Sequence, residues 1–328
     1  MKKLKQYRFI LGLIIGGFFL YLVLKKADLK EVLGIIKTAK WLYVILGFVS
    51  AVAAIVLRSY RWKLLLAEKG KGLRIRNYFD ALCVGQMMNG ILPFRVGDFV
   101  QAYFLGHKSS LSKSMVFSTV VMERLLDCFP PGIILVVGSF FVIMPDQIGI
   151  GRILIAMAVL AAGMTLVFRS RKTAENIVER LMPTHDMKDK IHHLIGNFYS
   201  GLEVMKKGHV VVRVFMYTVL VWAAYLMIAY SCLLCFDIDI GIMSAMLVMA
   251  IAAISVTIPS SPGYVGTWEF FVILALSIFR IDKNRALSFA LIYHFVSLAV
   301  VALMGLIVVI KTGFSLKQAQ EPIEEQQV

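Results

Sequence analysis

The chain has 328 residues, of which 59% are hydrophobic and 17% are charged, and its formal net charge is +15. The hydrophobic fraction is well above that of a soluble domain and the charged residues are clustered, so the composition excludes an ordinary soluble protein. We predict an all-α polytopic membrane protein, because a helix satisfies its own backbone hydrogen bonds inside the bilayer. The positive charge is interpreted as a signal for orientation in the membrane, and not as a nucleic-acid site.

Six apolar segments have lengths that suit transmembrane helices. In chain order they span about residues 9–24, 41–57, 115–144, 150–168, 210–236 and 286–310. The segment 28–40 is amphipathic and is predicted to lie in the outer membrane interface. Residues 1–311 are expected to form one integral membrane domain, which includes two cytoplasmic helices within 172–208, and residues 312–328 are expected to form a polar cytoplasmic tail.

Two further apolar segments, about 78–105 and 241–279, are each interrupted by proline and glycine. A break of this kind at membrane depth predicts a re-entrant helical hairpin, which enters and leaves the bilayer on the same side. If the two hairpins enter from opposite sides, they are inverted counterparts that meet near the midplane. The halves of the sequence show no obvious similarity to each other, so an inverted repeat rests on this topology alone.

Lysine and arginine are unequally distributed between the two sides that these spans define. If the N-terminus is cytoplasmic, the inner segments carry 23 Lys and Arg and the outer segments carry 9. Because cytoplasmic loops are enriched in these residues, we predict that both termini are cytoplasmic and that the protein lies in the cell membrane. The same distribution requires each hairpin to return to the side from which it entered.

Ionisable side chains inside apolar segments are costly and are therefore candidates for function. At the first break, Arg95 and Asp98 follow Asn89 and Pro93, and the bend can present helix-end amides and a guanidinium to a phosphate. A second cluster, Glu123-Arg124-x-x-Asp127, precedes a predicted break at 130–132. The alternative interpretation of this cluster is a buried ion network that fixes the register of the helices.

The third cluster follows the second break, where Pro262, Gly263 and Gly266 precede Glu269. Glu269 either satisfies the start of a helix or forms a proton or coupling-ion site opposite the arginines. His294 in the last span is interpreted as a packing residue.

The motif Arg58-x-x-Arg61-Trp62 lies at the predicted end of the second span. We interpret it as an anchor against lipid head groups, with head-group selection as the alternative. The four cysteines, Cys83, Cys128, Cys232 and Cys235, lie in apolar segments and are expected to be buried core residues. The sequence predicts neither a metal site nor a cofactor.

Together these motifs resemble the transmembrane region of lysylphosphatidylglycerol synthases, a flippase-like family of integral membrane proteins that also occurs without a catalytic domain. The resemblance extends from about Leu4 to Ile310. It implies lipid handling, and the chain is expected to lack the soluble aminoacyl-transfer domain and not to be an enzyme. The residues expected to bind substrate are Asn89, Pro93, Arg95, Asp98, Glu123, Arg124, Asp127, Pro262, Gly263, Gly266 and Glu269.

The leading functional hypothesis is a flippase that moves an anionic phospholipid or a polyprenyl-phosphate-linked lipid between leaflets. The first alternative is an enzyme in which Asp98 and Glu123 act as acid and base on a lipid-linked substrate. The second is a non-catalytic scaffold in the cell envelope. The expected partners are accordingly the lipid, the membrane, a second copy of the chain or an envelope-biosynthesis protein.

Overall fold

The structure is a computed structural model of the chain, and it describes residues 2–25, 27–92, 95–109, 111–141, 185–203, 207–258 and 260–314, with short pieces between 151 and 176. These residues hold helices and no β-strand, which confirms the all-α prediction. The helices are α1 (Lys2–Leu24), α2 (Leu29–Lys37), α3 (Trp41–Leu66), α4 (Ile75–Ile91), α5 (Gly97–His107), α6 (Lys113–Gly138), α7 (His185–Leu202), α8 (Gly208–Cys235), α9 (Gly241–Ser255), α10 (Thr267–Ser277) and α11 (Lys283–Thr312). Two 3-10 turns lie at Ala67–Gly70 and Pro262–Tyr264.

Among the residues that the structure describes, three helices are long and apolar enough to cross a bilayer, namely α3, α8 and α11, with 26, 28 and 30 residues. At a rise of 1.5 Å per residue, 26 residues extend about 39 Å, which exceeds the hydrocarbon core of about 30 Å. These helices contain the predicted spans 41–57, 210–236 and 286–310. The protein is therefore a helical membrane protein, while the total of six spans stays a prediction.

Helix α6 has the same length as α3 but carries Glu123, Arg124 and Asp127 in its middle. The break predicted at 130–132 is wrong, because α6 continues through Pro130 and Pro131. A proline inside a helix removes one backbone hydrogen bond, and neighbouring helices can stabilise the segment that it weakens.

Parts of the predicted membrane domain lie outside the described residues. They include most of the span 150–168, most of the first cytoplasmic helix before residue 184, and the tail after residue 314. The second half of the segment 172–208 forms α7, which packs against α6. There the Ser114 hydroxyl donates a hydrogen bond to the Leu194 carbonyl at 3.0 Å.

The core lies where α3 packs along α8 and where α11 packs against α4. Small residues let these helices approach closely. A Cβ at Gly47 of α3 would lie 3.1 Å from Ser231 Oγ of α8, and a Cβ at Gly305 of α11 would lie 2.5 Å from Met87 Cβ of α4. Helices α4 and α11 each also contact α3.

Two pairs of helices, α4 with α5 and α9 with α10, are each interrupted at the predicted proline- and glycine-containing segment. In the first pair, α5 starts so close to α4 that a Cβ at Gly97 would lie 2.5 Å from Asn89 N and would overlap the Gly85 carbonyl oxygen. The two helices can therefore meet only with glycine at position 97. The side of the bilayer from which each pair enters stays a prediction, as does the inverted repeat.

The predicted interfacial segment forms α2. The Asp28 carboxylate accepts hydrogen bonds from Lys30 N at 2.9 Å and from Glu31 N at 3.2 Å, and so caps the helix. Val32 is buried, whereas Leu29 and Leu33 are more than half exposed. Such an exposed apolar pair is what an interfacial helix places against lipid.

Candidate functional site

A buried ion network joins α3 to α6. Arg61 Nη1 lies 2.7 Å from Asp127 Oδ1, and Arg61 Nη2 lies 3.0 Å from Glu123 Oε1. The sequence favours this contact because Glu123 and Asp127, four residues apart, share one face of α6. One planar guanidinium can therefore bind two carboxylates at once.

Glu123 is fully buried and accepts from several donors. Arg58 Nε lies 3.4 Å from its Oε1, and Gln101 Nε2 lies 3.5 Å from its Oε2. Because Gln101 belongs to α5, the carboxylate also ties the first broken pair to α3 and α6. Removing one partner from such a network leaves buried charges uncompensated, which destabilises a protein by about 3–5 kcal/mol.

Arg124 extends the network to the first break. Its Nε lies 3.4 Å from Asp98 Oδ2, and its Nη1 lies 3.7 Å from Asp127 Oδ2. Asp98 lies in the first turn of α5, where the helix dipole favours a negative charge. Asn89 Nδ2 donates a hydrogen bond to Asp98 Oδ1 at 2.9 Å, which connects the end of α4 to the start of α5.

The interpretation of Arg58, Arg61 and Trp62 as a head-group anchor is wrong for this structure. Arg58 is 5% exposed, and Arg61 and Trp62 are fully buried. Trp62 Nε1 donates to Thr119 Oγ1 of α6 at 2.9 Å. The helix continues to Leu66, beyond the predicted end of the span at residue 57, because the carboxylates of α6 pair with the arginines there.

A cavity of about 720 Å³ lies beside this network. Three arginines reach its wall, namely Arg58, Arg95 and Arg124. Arg58 Nη2, Arg95 Nε and Arg124 Nη2 are buried donors that have no hydrogen-bond acceptor within the described residues. The rest of the wall is mostly apolar and aromatic, and its aromatic members are Trp222, Tyr225, Tyr264, Trp268 and Tyr293.

Arg95 differs from Arg58, Arg61 and Arg124 because it has no carboxylate partner among the described residues. Arg58, Arg61 and Arg124 each lie within 4 Å of a carboxylate of Asp98, Glu123 or Asp127, so these six formal charges balance. Within the part of the chain that the structure describes, Arg95 makes no ion pair. It has a positive φ of 54°, which is uncommon for a residue with a side chain and is typical of functional sites. The neighbouring Pro93 lies outside the described residues.

The two breaks meet at the cavity. Pro262 starts the 3-10 turn of the second break, and Gly263 follows with a φ of 68°. A Cβ on Gly263 would lie 3.6 Å from the carbonyl oxygen of Gly90 in α4. Gly266 has a φ of 85°, and a Cβ there would overlap the backbone of α1. The positive φ of both glycines therefore lets the second break approach α4 at Gly263 and α1 at Gly266.

Glu269 satisfies the start of α10 and also binds a histidine. Its Oε2 accepts a hydrogen bond from Gly266 N at 2.7 Å, and its Oε1 lies 2.6 Å from His294 Nδ1. His294 stacks on Trp268 at 5.1 Å between ring centroids and lines the cavity. Its Nε2 is buried and has no partner within the described residues. The packing interpretation of His294 does not account for this free nitrogen.

Several cavity residues were not singled out in the sequence, notably Gln86, Trp222, Tyr225 and Tyr293. The spacing of Trp222 and Tyr225, three residues apart on one face of α8, was an available signal. Of the four cysteines, Cys83, Cys232 and Cys235 are buried as predicted, whereas Cys128 is half-buried and lies on the cavity wall. Among the described residues, no three His, Cys, Asp or Glu side chains are grouped so as to hold a metal ion.

Comparisons with known proteins agree with the motifs. The sequence profile of the lysylphosphatidylglycerol synthase TM region matches residues 9–305. A UPF0104 membrane protein of Methanocaldococcus jannaschii is 24% identical, over 94% of this chain and 96% of that protein. A UPF0104 membrane protein of Pyrococcus horikoshii is 22% identical, over 94% of this chain and 97% of that protein.

The chain is also similar to glycosyltransferase AglD of Haloferax volcanii, with 22% identity over 98% of this chain and 57% of AglD. The profile match covers all of the buried charges described above, from Arg58 to His294. Because this match extends over most of the chain, the protein belongs to the family of the lysylphosphatidylglycerol synthase transmembrane region.

Proposed function

We propose that the protein moves an anionic lipid, either a phospholipid or a polyprenyl-phosphate-linked lipid, between the leaflets of the cell membrane. The observation that carries the proposal is the cavity wall, where three arginines present unpaired donor nitrogens beside apolar and aromatic side chains. Guanidinium groups bind phosphate oxygens through directed, charge-assisted hydrogen bonds. A lipid phosphate is the ligand that satisfies these donors.

The charge balance supports one anion at a time. The six paired charges cancel, and Arg95 adds one positive charge that the carboxylates of the network do not compensate. A phosphodiester head group carries one negative charge, which neutralises Arg95 without opening any pair in the network. The paired carboxylates hold Arg58 and Arg124 at the cavity wall, where Nη2 of each is buried and has no hydrogen-bond acceptor within the described residues.

The cavity volume suits a head group. Small-molecule sites are commonly about 300–1,000 Å³, and this cavity of about 720 Å³ lies within that range. The acyl or prenyl chains would remain in the bilayer between the helices. Both breaks supply non-helical backbone at the cavity, as in carriers whose sites lie at discontinuous helices.

Transport by the purified protein in liposomes tests the proposal. Vesicles with a fluorescent anionic phospholipid are expected to show movement of the probe between leaflets, and Arg95→Gln is expected to abolish it. Arg213→Gln is the matched control, since Arg213 is exposed on α8 and lies away from the cavity wall. Unchanged movement in Arg95→Gln contradicts the proposal.

The proposed orientation has both termini in the cytoplasm. A reporter enzyme that is active only in the cytoplasm, fused after the C-terminus, is expected to be active in cells. An active periplasmic or extracellular reporter at the same position would reverse the orientation and, with it, the side from which each broken pair enters.

An enzymatic function is the second candidate, and the similarity to the glycosyltransferase AglD favours it. Asp98 and Glu123, the proposed acid and base, are both paired with arginines, so each carboxylate already has a cationic partner in this structure. Formation of a modified lipid by the purified protein, with a lipid-linked substrate added, would support the enzyme. Loss of the cellular function only when an envelope partner is absent would support the scaffold.

A further inference from the structure

The Glu269–His294 pair is not among the arginine contacts proposed for the phosphate, yet His294 lies on the wall of the same cavity. His294 lies on the cavity wall, and Glu269 lies behind it, on the Nδ1 side of the ring. Glu269 and His294 are 4% and 5% exposed, so water does not screen them. The pair therefore acts on whatever occupies the cavity.

The hydrogen bond between the two side chains determines which nitrogen of the His294 ring carries the proton. A carboxylate accepts hydrogen bonds, so Nδ1 carries a proton and donates it to Glu269 Oε1. If the imidazole is neutral, Nε2 then carries a lone pair, which repels an anion. If the imidazole is protonated, Nε2 carries a hydrogen and becomes a donor to that anion.

Two contacts fix the Glu269 side chain, so its hydrogen bond to His294 Nδ1 is not lost by rotation of the carboxylate. Its second oxygen accepts from Gly266 N at 2.7 Å, and the ring of His294 lies on Trp268. Both partners are thus held by contacts with residues at the start of α10, Glu269 by Gly266 N and His294 by the Trp268 ring. The only hydrogen-bonding atom of the pair without a partner within the described residues is His294 Nε2.

Other charged groups share the cavity with the pair. Those on its wall are Arg58 of α3, Arg95 at the first break, and Arg124 and Asp127 of α6. The titratable neutral side chains there are Cys128, Tyr225, Tyr264 and Tyr293. Of the other helices that pack on α10 and α11, α4 adds the neutral Gln86 and Asn89, and the described parts of α1, α2 and α9 add no charged side chain to the wall.

We propose that the Glu269–His294 pair is a proton-binding site that takes up one proton when the anionic head group binds. The inference rests on the proposed function, because the anion at the arginines is what favours the protonated imidazole. With His294 neutral, the pair carries one negative charge, which cancels the surplus charge of Arg95. With His294 protonated, the pair is neutral, and the positive charge of Arg95 is available to the anionic ligand.

Thermodynamic linkage gives the sign and the size of the effect. Uptake of a proton with the anion makes binding stronger at low pH and weaker as the pH rises. In the limit of one proton per anion, the dissociation constant rises about tenfold per pH unit. The binding is measured at several pH values between about 5 and 8.

Calorimetry on the wild-type protein tests the proposal without any variant. A short-chain phosphatidylglycerol, a phosphodiester that stays monoanionic in this range, is titrated into the detergent-solubilised protein in two buffers with different ionisation enthalpies. Different heats that correspond to uptake of up to one proton per bound lipid are expected. Binding with identical heats in the two buffers at every pH overturns the proton site and leaves the anion site standing.

Two variants assign the proton to the pair. His294→Gln is expected to bind the lipid without dependence on pH, whereas His209→Gln, at an exposed histidine at the start of α8, keeps the dependence. In Glu269→Gln the amide oxygen accepts from Gly266 N, and the amide nitrogen donates to His294 Nδ1. This places the hydrogen on Nε2 of the neutral ring, so the pH dependence is lost in this variant too.

The outcomes separate the two proposals. A pH dependence that persists in both His294→Gln and Glu269→Gln overturns the proton site. Absence of binding in the wild-type protein, or full binding in Arg95→Gln, overturns the proposed anion site, and the proton site falls with it.

Discussion

Two groups of charged side chains in this protein differ in how completely they are paired. Where α3 meets α6, Arg61 binds Glu123 and Asp127 at 2.7–3.0 Å, with all three in contact across the interface. At the cavity, Arg95 makes no ion pair and His294 keeps a free Nε2, within the residues that the structure describes. We call Arg61, Glu123 and Asp127 the closed group, because they pair with each other and so hold α3 against α6. We call Arg95 and His294 the open group, because each has a polar atom that has no partner among the described residues and that a ligand can bind. Both groups are buried, so burial does not distinguish them, whereas the presence of an ion pair to a carboxylate separates Arg61 from Arg95.

The largest effect is expected from breaking the closed group. Glu123→Gln removes the carboxylate that faces Arg58 and Arg61, and we expect the free energy of unfolding to fall by about 3–5 kcal/mol. Denaturation of the purified protein in mixed micelles measures this change. A loss no greater than that of an exposed variant would mean that the network is not structural.

A smaller loss is expected where backbone contact supports both groups. Gly97→Ala places a methyl group against Asn89 N and the Gly85 carbonyl, and overpacking of this kind costs about 1–3 kcal/mol. Gly17→Ala is the matched control, since a Cβ at Gly17 meets nothing within 4 Å. Equal stability of the two variants would show that α4 and α5 can separate without cost.

Arg95→Gly tests the open group. Glycine adopts the positive φ of this position without strain, so the free energy of unfolding is expected to stay the same or to rise by up to about 1 kcal/mol. Binding of the anionic lipid is expected to be lost in the same variant. A fall in stability as large as that of Glu123→Gln would remove the distinction between the two groups.

The smallest effect is expected at the exposed pair of Lys40 and Asp237, whose atoms Nζ and Oδ1 lie 2.5 Å apart. The hydrogen bond to Asp237 raises the pKa of Lys40, so any stabilisation is present at neutral pH and is lost only as the pH rises above the ordinary lysine range. Because exposed pairs are screened by solvent, Asp237→Asn should leave the denaturation midpoint unchanged at neutral pH. A clear shift would show that exposure does not weaken ion pairs in this protein.

Sequence patterns predicted the helical membrane fold, both interrupted helix pairs and the charged residues at them, because apolar length, proline and glycine act locally. They did not predict the partners. Arg58 and Glu123 are 65 residues apart, and Arg61 and Asp127 are 66 apart. No local signal in the sequence reveals that a carboxylate on another helix lies close to these arginines. Their position at the end of an apolar segment therefore suggested a head-group anchor.

The same reason explains why the cavity wall was only partly predicted. His294 meets Glu269 across two helices, 25 residues apart, and the aromatic side chains come from α8, α10 and α11. Aromatic residues in apolar helices occur equally on lipid-facing and buried surfaces. Only the packing of the helices selects those that enclose the cavity.

The position of Cys128 gives the protein a built-in chemical reporter. Its half-buried thiol lies on the cavity wall, whereas Cys83, Cys232 and Cys235 are buried. A maleimide reagent that does not cross membranes should alkylate Cys128 first, from the side to which the cavity opens. Alkylation of Cys128 in the wild-type chain, measured by mass spectrometry, therefore reports the side of the membrane from which the cavity is accessible. A bound lipid is expected to protect this single sulfur atom from the reagent.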